Sequence, residues 1–231
     1  MNDAIISLFT LTILEIVLGI DNIIFVTILA GKTEESKQGR ARTIGLLMGM
    51  VVRIILLFGI NWIQRQDHTL FEIAGHEFSG MSLLLLAGGL FLLFQSVREI
   101  HLKMVGVTPE VHEKGKAYSW SALMLQMLLI NVVFSLDSVI TAIGMADVLW
   151  VMIAAVIISM IVMLAASRPI ADFVNANPSI KILALSFLVL IGVSLLGEAF
   201  EQHINKGYIY FAMAFSFTLE LINLRIDRRS K

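Results

Sequence analysis

Seven long apolar runs dominate this chain, and they leave it few architectures. They cover roughly Ala4–Ala30, Ile44–Trp62, Met81–Val97, Trp120–Met145, Val148–Ala166, Ile182–Leu196 and Gly207–Leu224. A helix of about 20 apolar residues crosses a bilayer. Hydrophobic residues make up 58% of the 231 positions and charged residues only 15%, where a soluble domain has about half and a quarter. The expectation is an all-α polytopic membrane protein with seven transmembrane helices. The first run follows no basic segment, has no small-residue cleavage site and contains acids. It therefore reads as a first span and not as a removable signal.

The connections set an orientation, because cytoplasmic loops carry the excess of Lys and Arg. The odd-numbered loops and the tail hold 14 of these residues, and the other side holds 2. That bias predicts the N-terminus outside and the C-terminus in the cytoplasm. Pro109, Pro169 and Pro178 all fall between runs, so a break inside a helix is expected at Gly, Ser or Asn. The segment from Asp172 to Asn177, between two prolines, reads as a short interfacial turn.

Shifting the sequence by 116 positions lays Glu15, Gly19, Asp21 and Asn22 over Asn131, Ser135, Asp137 and Ser138. In the third run of each half, Gly88-Gly89-Leu90-Phe91-Leu92-Leu93 is similar to Ile191-Gly192-Val193-Ser194-Leu195-Leu196. An odd number of spans per repeat inverts the second copy, an arrangement common in transporters, with the site at midplane. The predicted organisation is two inverted three-helix repeats plus one helix. A first repeat covers 1–100, a polar cytoplasmic connection 101–118, a second repeat 119–206, and a seventh helix with a basic tail 207–231.

Glu15, Asp21 and Asn22 stand inside a run that has no Lys or Arg. Carboxylates at that depth cost several kcal/mol unless neutralised, paired or bound to a cation. Six residues separate Glu15 from Asp21, which puts them about 120° apart on a straight helix. A kinked or unwound turn at Gly19, and at Ser135 in the second copy, would let them face one cavity. The alternative is that they serve successive points along a path. The candidate ligands Glu15, Asp21, Asn22, Asn131, Asp137 and Ser138 are all oxygen donors, which suit Mg²⁺, Ca²⁺ or Mn²⁺ more than Zn²⁺ or copper. The chain has no cysteine, which excludes thiolate sites and thiol catalysis. Arg53, within the second run, calls for a buried acid as partner or acts in gating. Glu220, in the last run, is a candidate partner or a peripheral proton carrier. Glu198 and Arg98-Glu99-Ile100-His101 lie at helix ends, where snorkelling to the interface is the default.

Leu-Glu-Ile-Val-Leu-Gly-Ile-Asp-Asn at 14–22 and Phe-Ser-Leu-Asp-Ser-Val-Ile-Thr-Ala at 134–142 resemble the paired signatures of the TerC family of integral membrane proteins. Gly88–Leu92, Glu99–His101, Leu183–Leu188 and Lys206–Met213 are similar to its short, YgdQ-like bacterial branch. The resemblance implies a seven-helix protein of the bacterial inner membrane, related to LysE-type exporters and implicated in Mn²⁺ export. It carries metal-binding roles onto Glu15, Asp21, Asn22, Asp137 and Ser138. Asn131 departs from the Asp that similar sequences often have there, and Asn131→Asp would restore a carboxylate.

The leading expectation is a proton-coupled exporter of a divalent cation, Mn²⁺. A small-zwitterion exporter is one rival, and an accessory factor that supplies metal to exported proteins or assists their assembly is another. No nucleophile–base set or cofactor loop appears, so neither an enzyme nor a resident cofactor is expected. The expected partners are the metal ion, protons and the lipid bilayer, with no nucleic acid; self-association is left open.

Overall fold

The computed structural model describes residues 2–59, 69–73, 76–106, 119–143, 148–202 and 204–229. Among these, seven helices form: α1 (Asn2–Ala30), α2 (Glu35–Phe58), α3 (Gly80–Met104), α4 (Trp120–Ile143), α5 (Leu149–Ala176), α6 (Pro178–Ala199) and α7 (Lys206–Arg229). Six are long and apolar enough to cross a membrane, and the apolar stretch Trp120–Leu136 of α4 is shorter. The protein is an all-α polytopic membrane protein, as its apolar runs predict. Most of the 101–118 connection lies outside the described residues.

Several helices outrun their apolar segments. α2 begins at Glu35, well before Ile44, because Glu35, Lys37, Gln38, Arg40 and Ala41 are strong helix formers. The segment ahead of α3 holds an antiparallel hairpin, β1 (Thr69–Ile73) with β2 (His76–Ser79), which pairs Phe71 with Phe78 and Glu72 with Glu77. Ser79 then caps α3, accepting from the Ser82 amide at 3.1 Å.

The prolines behave differently from expectation in one place. Pro178 opens α6 at a position where its missing N–H costs nothing. Pro169, by contrast, lies inside α5, and Asp172–Ala176 continue that helix instead of forming a turn. A membrane helix tolerates proline when nearby hydroxyls take up backbone groups. Ser167 Oγ donates to the Leu164 carbonyl at 2.7 Å in the turn before the ring, next to the Ala165 carbonyl, which loses its usual helical donor at Pro169.

The chain divides into two compact units, each drawing helices from both sides of the polar connection. One contains α1, α2, α4 and α5 as far as Val174; the other contains the hairpin, α3, α6 and α7. In the second unit α3 and α6 run antiparallel. Phe78, before α3, meets Phe200, after α6, edge to face at 5.7 Å, while Lys103 at the far end of α3 lies within electrostatic reach of Lys181 near the start of α6. Their crossing point is a pair of glycines. A methyl group on Gly89 would come within 2.8 Å of the Gly192 carbonyl oxygen and 3.0 Å of Leu196. One on Gly192 would come within 3.1 Å of the Gly89 carbonyl oxygen and of Leu93. The contact is reciprocal, and the residues exchanged are those the sequence aligns between halves. Such close backbone approach is how helices associate where lipid removes the hydrophobic drive.

Candidate functional site

The first unit collects the buried polar residues singled out in the sequence. On α1, Leu11, Glu15, Gly19 and Asn22 recur at spacings of four, four and three, and all are buried. On α2, Ala41, Gly45, Gly49, Arg53 and Leu57 recur every four residues and are buried. On α4 the buried line is Leu123, Met127, Asn131, Ser135 and Ser138. Residues at these spacings share one helix face, so three polar stripes meet in one bundle.

Glycines fix how the stripes meet. A methyl group at Gly45 would touch both Val26 and Met127, each at 2.9 Å. One turn on, a methyl group at Gly49 would reach Asn131 Oδ1 at 2.5 Å and Asn22 Nδ2 at 3.5 Å. Asn131 Nδ2 donates to the Gly45 carbonyl at 2.9 Å. The pairings run α1 antiparallel to both α2 and α4, with α2 parallel to α4. Phe25 of α1 and Phe134 of α4 close the same interface edge to face, 6.4 Å between centroids.

Glu15 and Arg53 form the charged centre of this unit. Arg53 Nη1 donates to Glu15 Oε2, and both residues are almost fully buried, at 2% and 3% exposure. Glu15 is thus a partner of Arg53, while Glu220 is a half-buried residue of α7 in the second unit. One turn away lies an apolar cluster of Leu11, Leu57, Val139, Val151, Met152, Ala155 and Val156. The ion pair therefore sits one helical turn inside an apolar layer.

α1 is one unbroken helix through Gly19, and α4 one through Ser135, so no unwound turn forms at either residue. Gly19 instead admits the thioether of Met163 from α5, which a methyl group there would overlap. Glu15 and Asp21 keep their divergent directions: Glu15 and Asn22 share the buried face, whereas Asp21 is half-buried. Ser138 is buried and its hydroxyl donates to the Ser135 carbonyl at 3.2 Å. The side chain of Asp137 lies outside the described residues. Among the described residues no three His, Cys, Asp or Glu side chains gather in one place. The buried set is dominated by neutral oxygen donors: Asn22, Asn131 and Ser138.

Two features escaped sequence reasoning. The four-residue repeat Ala41, Gly45, Gly49 was legible as small residues on one face, but only packing reveals what each glycine admits. Glu99 does not snorkel: it is buried in the second unit, where Gln95 Nε2 donates to its Oε1 at 3.1 Å. The Gln95–Glu99 spacing of one helical turn was the available signal.

Seven helices among the described residues, six of them long and apolar enough to cross a membrane, define an integral membrane protein with a buried ion pair and buried amides. The sequence profile of the family described as "Integral membrane protein TerC family" matches residues 1–231. The chain belongs to the TerC family. It is 48% identical over 229 residues to a UPF0053 protein of Haemophilus influenzae, covering 99% of this chain and 97% of that one. It is 47% identical to the UPF0053 inner membrane protein YgdQ of Escherichia coli K12, covering 97% and 94%. The UPF0053 inner membrane protein YoaE of the same organism is 45% identical over 97% of this chain, a match that covers 43% of YoaE. No solved structure matches the chain.

Proposed function

We propose that this protein exports a hard divalent cation, Mn²⁺, across the bacterial inner membrane in exchange for protons. The observation that carries the reading is the meeting of Glu15, Asn22, Arg53 and Asn131 inside one helix bundle. Charges and amides at that depth are costly, and in membrane helices they mark ion and proton pathways. Glu15 and Arg53 neutralise each other, which leaves the two signature aspartates, Asp21 and Asp137, to balance a divalent charge. Arg53 is a built-in cation: it holds Glu15 when cargo is absent and competes with cargo for it. The antiparallel α1–α4 pair and the reciprocal Gly89–Gly192 contact support the inverted-repeat reading. Inner-membrane residence is supported by the naming of YgdQ and YoaE as inner membrane proteins.

Mn²⁺ flux in proteoliposomes under a pH gradient tests the proposal. Asp21→Asn and Asp137→Asn should each abolish flux at equal reconstitution, since each keeps side-chain shape and removes one charge. Flux equal to the parent's in both variants would make the acids structural and end the exporter reading.

A further inference from the structure

The packed faces of α3 and α6 both run out to a lysine. On α3 the buried line Leu85, Gly89, Leu92, Ser96 and Glu99 continues one turn further to Lys103. On α6 the buried line Leu188, Leu185 and Ala184 runs back one turn to Lys181. Spacings of three and four keep each lysine on its helix's packed face. Lys103 stands 14 residues beyond Gly89 and Lys181 stands 11 before Gly192, about 21 and 17 Å from the glycine crossing at 1.5 Å per residue. In an antiparallel pair both therefore reach the same end of the seam, within about one turn of each other, and their charges interact. Both are half-buried. One turn deeper, Glu99 is 5% exposed, with Gln95 Nε2 donating to its carboxylate.

This placement runs against what folding alone favours. Two ammonium groups share the mouth of one seam with one carboxylate, and Lys181 adds its charge to the positive N-terminal end of α6. We propose that the mouth of the α3–α6 seam, at Lys103 and Lys181, binds the phosphodiester headgroup of an anionic phospholipid. A phosphate between the two lysines accepts charge-assisted hydrogen bonds from both and relieves their repulsion. Glu99, one turn deeper, repels the same phosphate and so stops the headgroup at the rim. Position selects a lipid over a soluble anion, because two membrane-length apolar helices, Gly80–Met104 and Pro178–Ala199, have their ends there. The bias of Lys and Arg assigns that end to the cytoplasmic leaflet, where basic pockets between membrane helices take anionic headgroups. The site uses none of the buried polar residues of α1, α2 and α4.

Binding of dioleoylphosphatidylglycerol to the purified full chain in detergent, followed by native mass spectrometry, tests this against dioleoylphosphatidylcholine and inorganic phosphate. The parent should prefer the anionic lipid. Lys103→Gln/Lys181→Gln should weaken its binding about thirty-fold and each single change about five-fold; the single variants decide the matter if the double does not fold. Lys103→Arg/Lys181→Arg keeps both charges and should keep the binding. Lys37→Gln/Arg40→Gln, which removes two exposed charges from α2, should leave it unchanged. Equal binding of the two lipids by the parent, or undiminished binding in the Lys103 and Lys181 variants, overturns the proposal. An equal loss in the α2 variant means diffuse surface charge and overturns it as well. Displacement of the lipid by millimolar inorganic phosphate means a soluble-anion site and overturns the lipid assignment. None of these measurements involves Mn²⁺, so the exporter reading stands or falls separately.

Discussion

Arg53 of α2 donates to Glu15 of α1 at the centre of a four-helix unit, with both residues buried. A buried ion pair is a poor route to stability, because desolvation offsets its attraction. Breaking it is another matter. Arg53→Met should destabilise the detergent-solubilised protein by about 3–5 kcal/mol, since it strands the Glu15 charge. The double variant Glu15→Leu/Arg53→Met should recover most of that loss. Thermal unfolding of the three proteins measures it, and a double variant as unstable as the single one would show that the pair does more than neutralise itself. Glu15→Gln is expected to reduce Mn²⁺ flux as well.

Asn131 gives a second prediction, and here the structure reverses the sequence argument. Read from the sequence, Asn131→Asp simply restores a carboxylate. Its amide, however, donates to the Gly45 carbonyl at 2.9 Å. An ionised Asp cannot donate, and it would set a carboxylate against that carbonyl. Asn131→Asp should therefore lose about 1–3 kcal/mol of stability, read as a lowered melting temperature in metal-free buffer. Added Mn²⁺ should restore part of the loss, since a bound cation would satisfy the new charge. A variant as stable as the parent without metal would count against the anchoring role of Gly45.

The crossing of α3 and α6 is testable without reference to function. A methyl group on Gly89 would come within 2.8 Å of a backbone oxygen of α6, and backbone cannot swing aside as a side chain can. Gly89→Ala should cost about 1–3 kcal/mol through forced separation of the helices. Gly39, where a methyl group would meet nothing within 4 Å, provides the comparison: Gly39→Ala should be neutral or mildly stabilising on helix propensity. Equal melting temperatures for the two variants would argue that the α3–α6 contact is looser than it stands.

These residues also mark what was legible beforehand. The seven helices could be read because burial in lipid demands long apolar runs, a constraint written in composition alone. Glu15 and Asn22 could be read as buried because they interrupt such a run. The partner of Arg53 could not, since choosing between Glu15 and Glu220 needs the packing of α1 on α2. Pro169 was misread for a related reason: a local rule about proline gave way to a continuous membrane helix. Glu99 was misread because a helix-end position was taken to imply exposure, whereas Gln95 is one turn away and holds it inside. Gly49 could be read only as one of three small residues spaced four apart on α2, because its role is the room it leaves for two amides on other helices.

Orientation supplies the last prediction. The 14-to-2 distribution of Lys and Arg puts Gln38, Lys103, Lys181 and Lys231 on the cytoplasmic side, and Asp3 outside. Within the second unit the structure adds an independent constraint. The antiparallel α3–α6 pair brings Lys103 near Lys181 at one end and Phe78 against Phe200 at the other, so each pair must share a side. The natural absence of cysteine allows single-cysteine labelling with an impermeant reagent in cells whose outer membrane has been made permeable. Asp3→Cys should label while the inner membrane is intact. Gln38→Cys, Lys103→Cys, Lys181→Cys and Lys231→Cys should label only after it is disrupted. Labelling of Lys231→Cys across an intact inner membrane would invert the orientation, and opposite outcomes for Lys103→Cys and Lys181→Cys would contradict the antiparallel pairing itself.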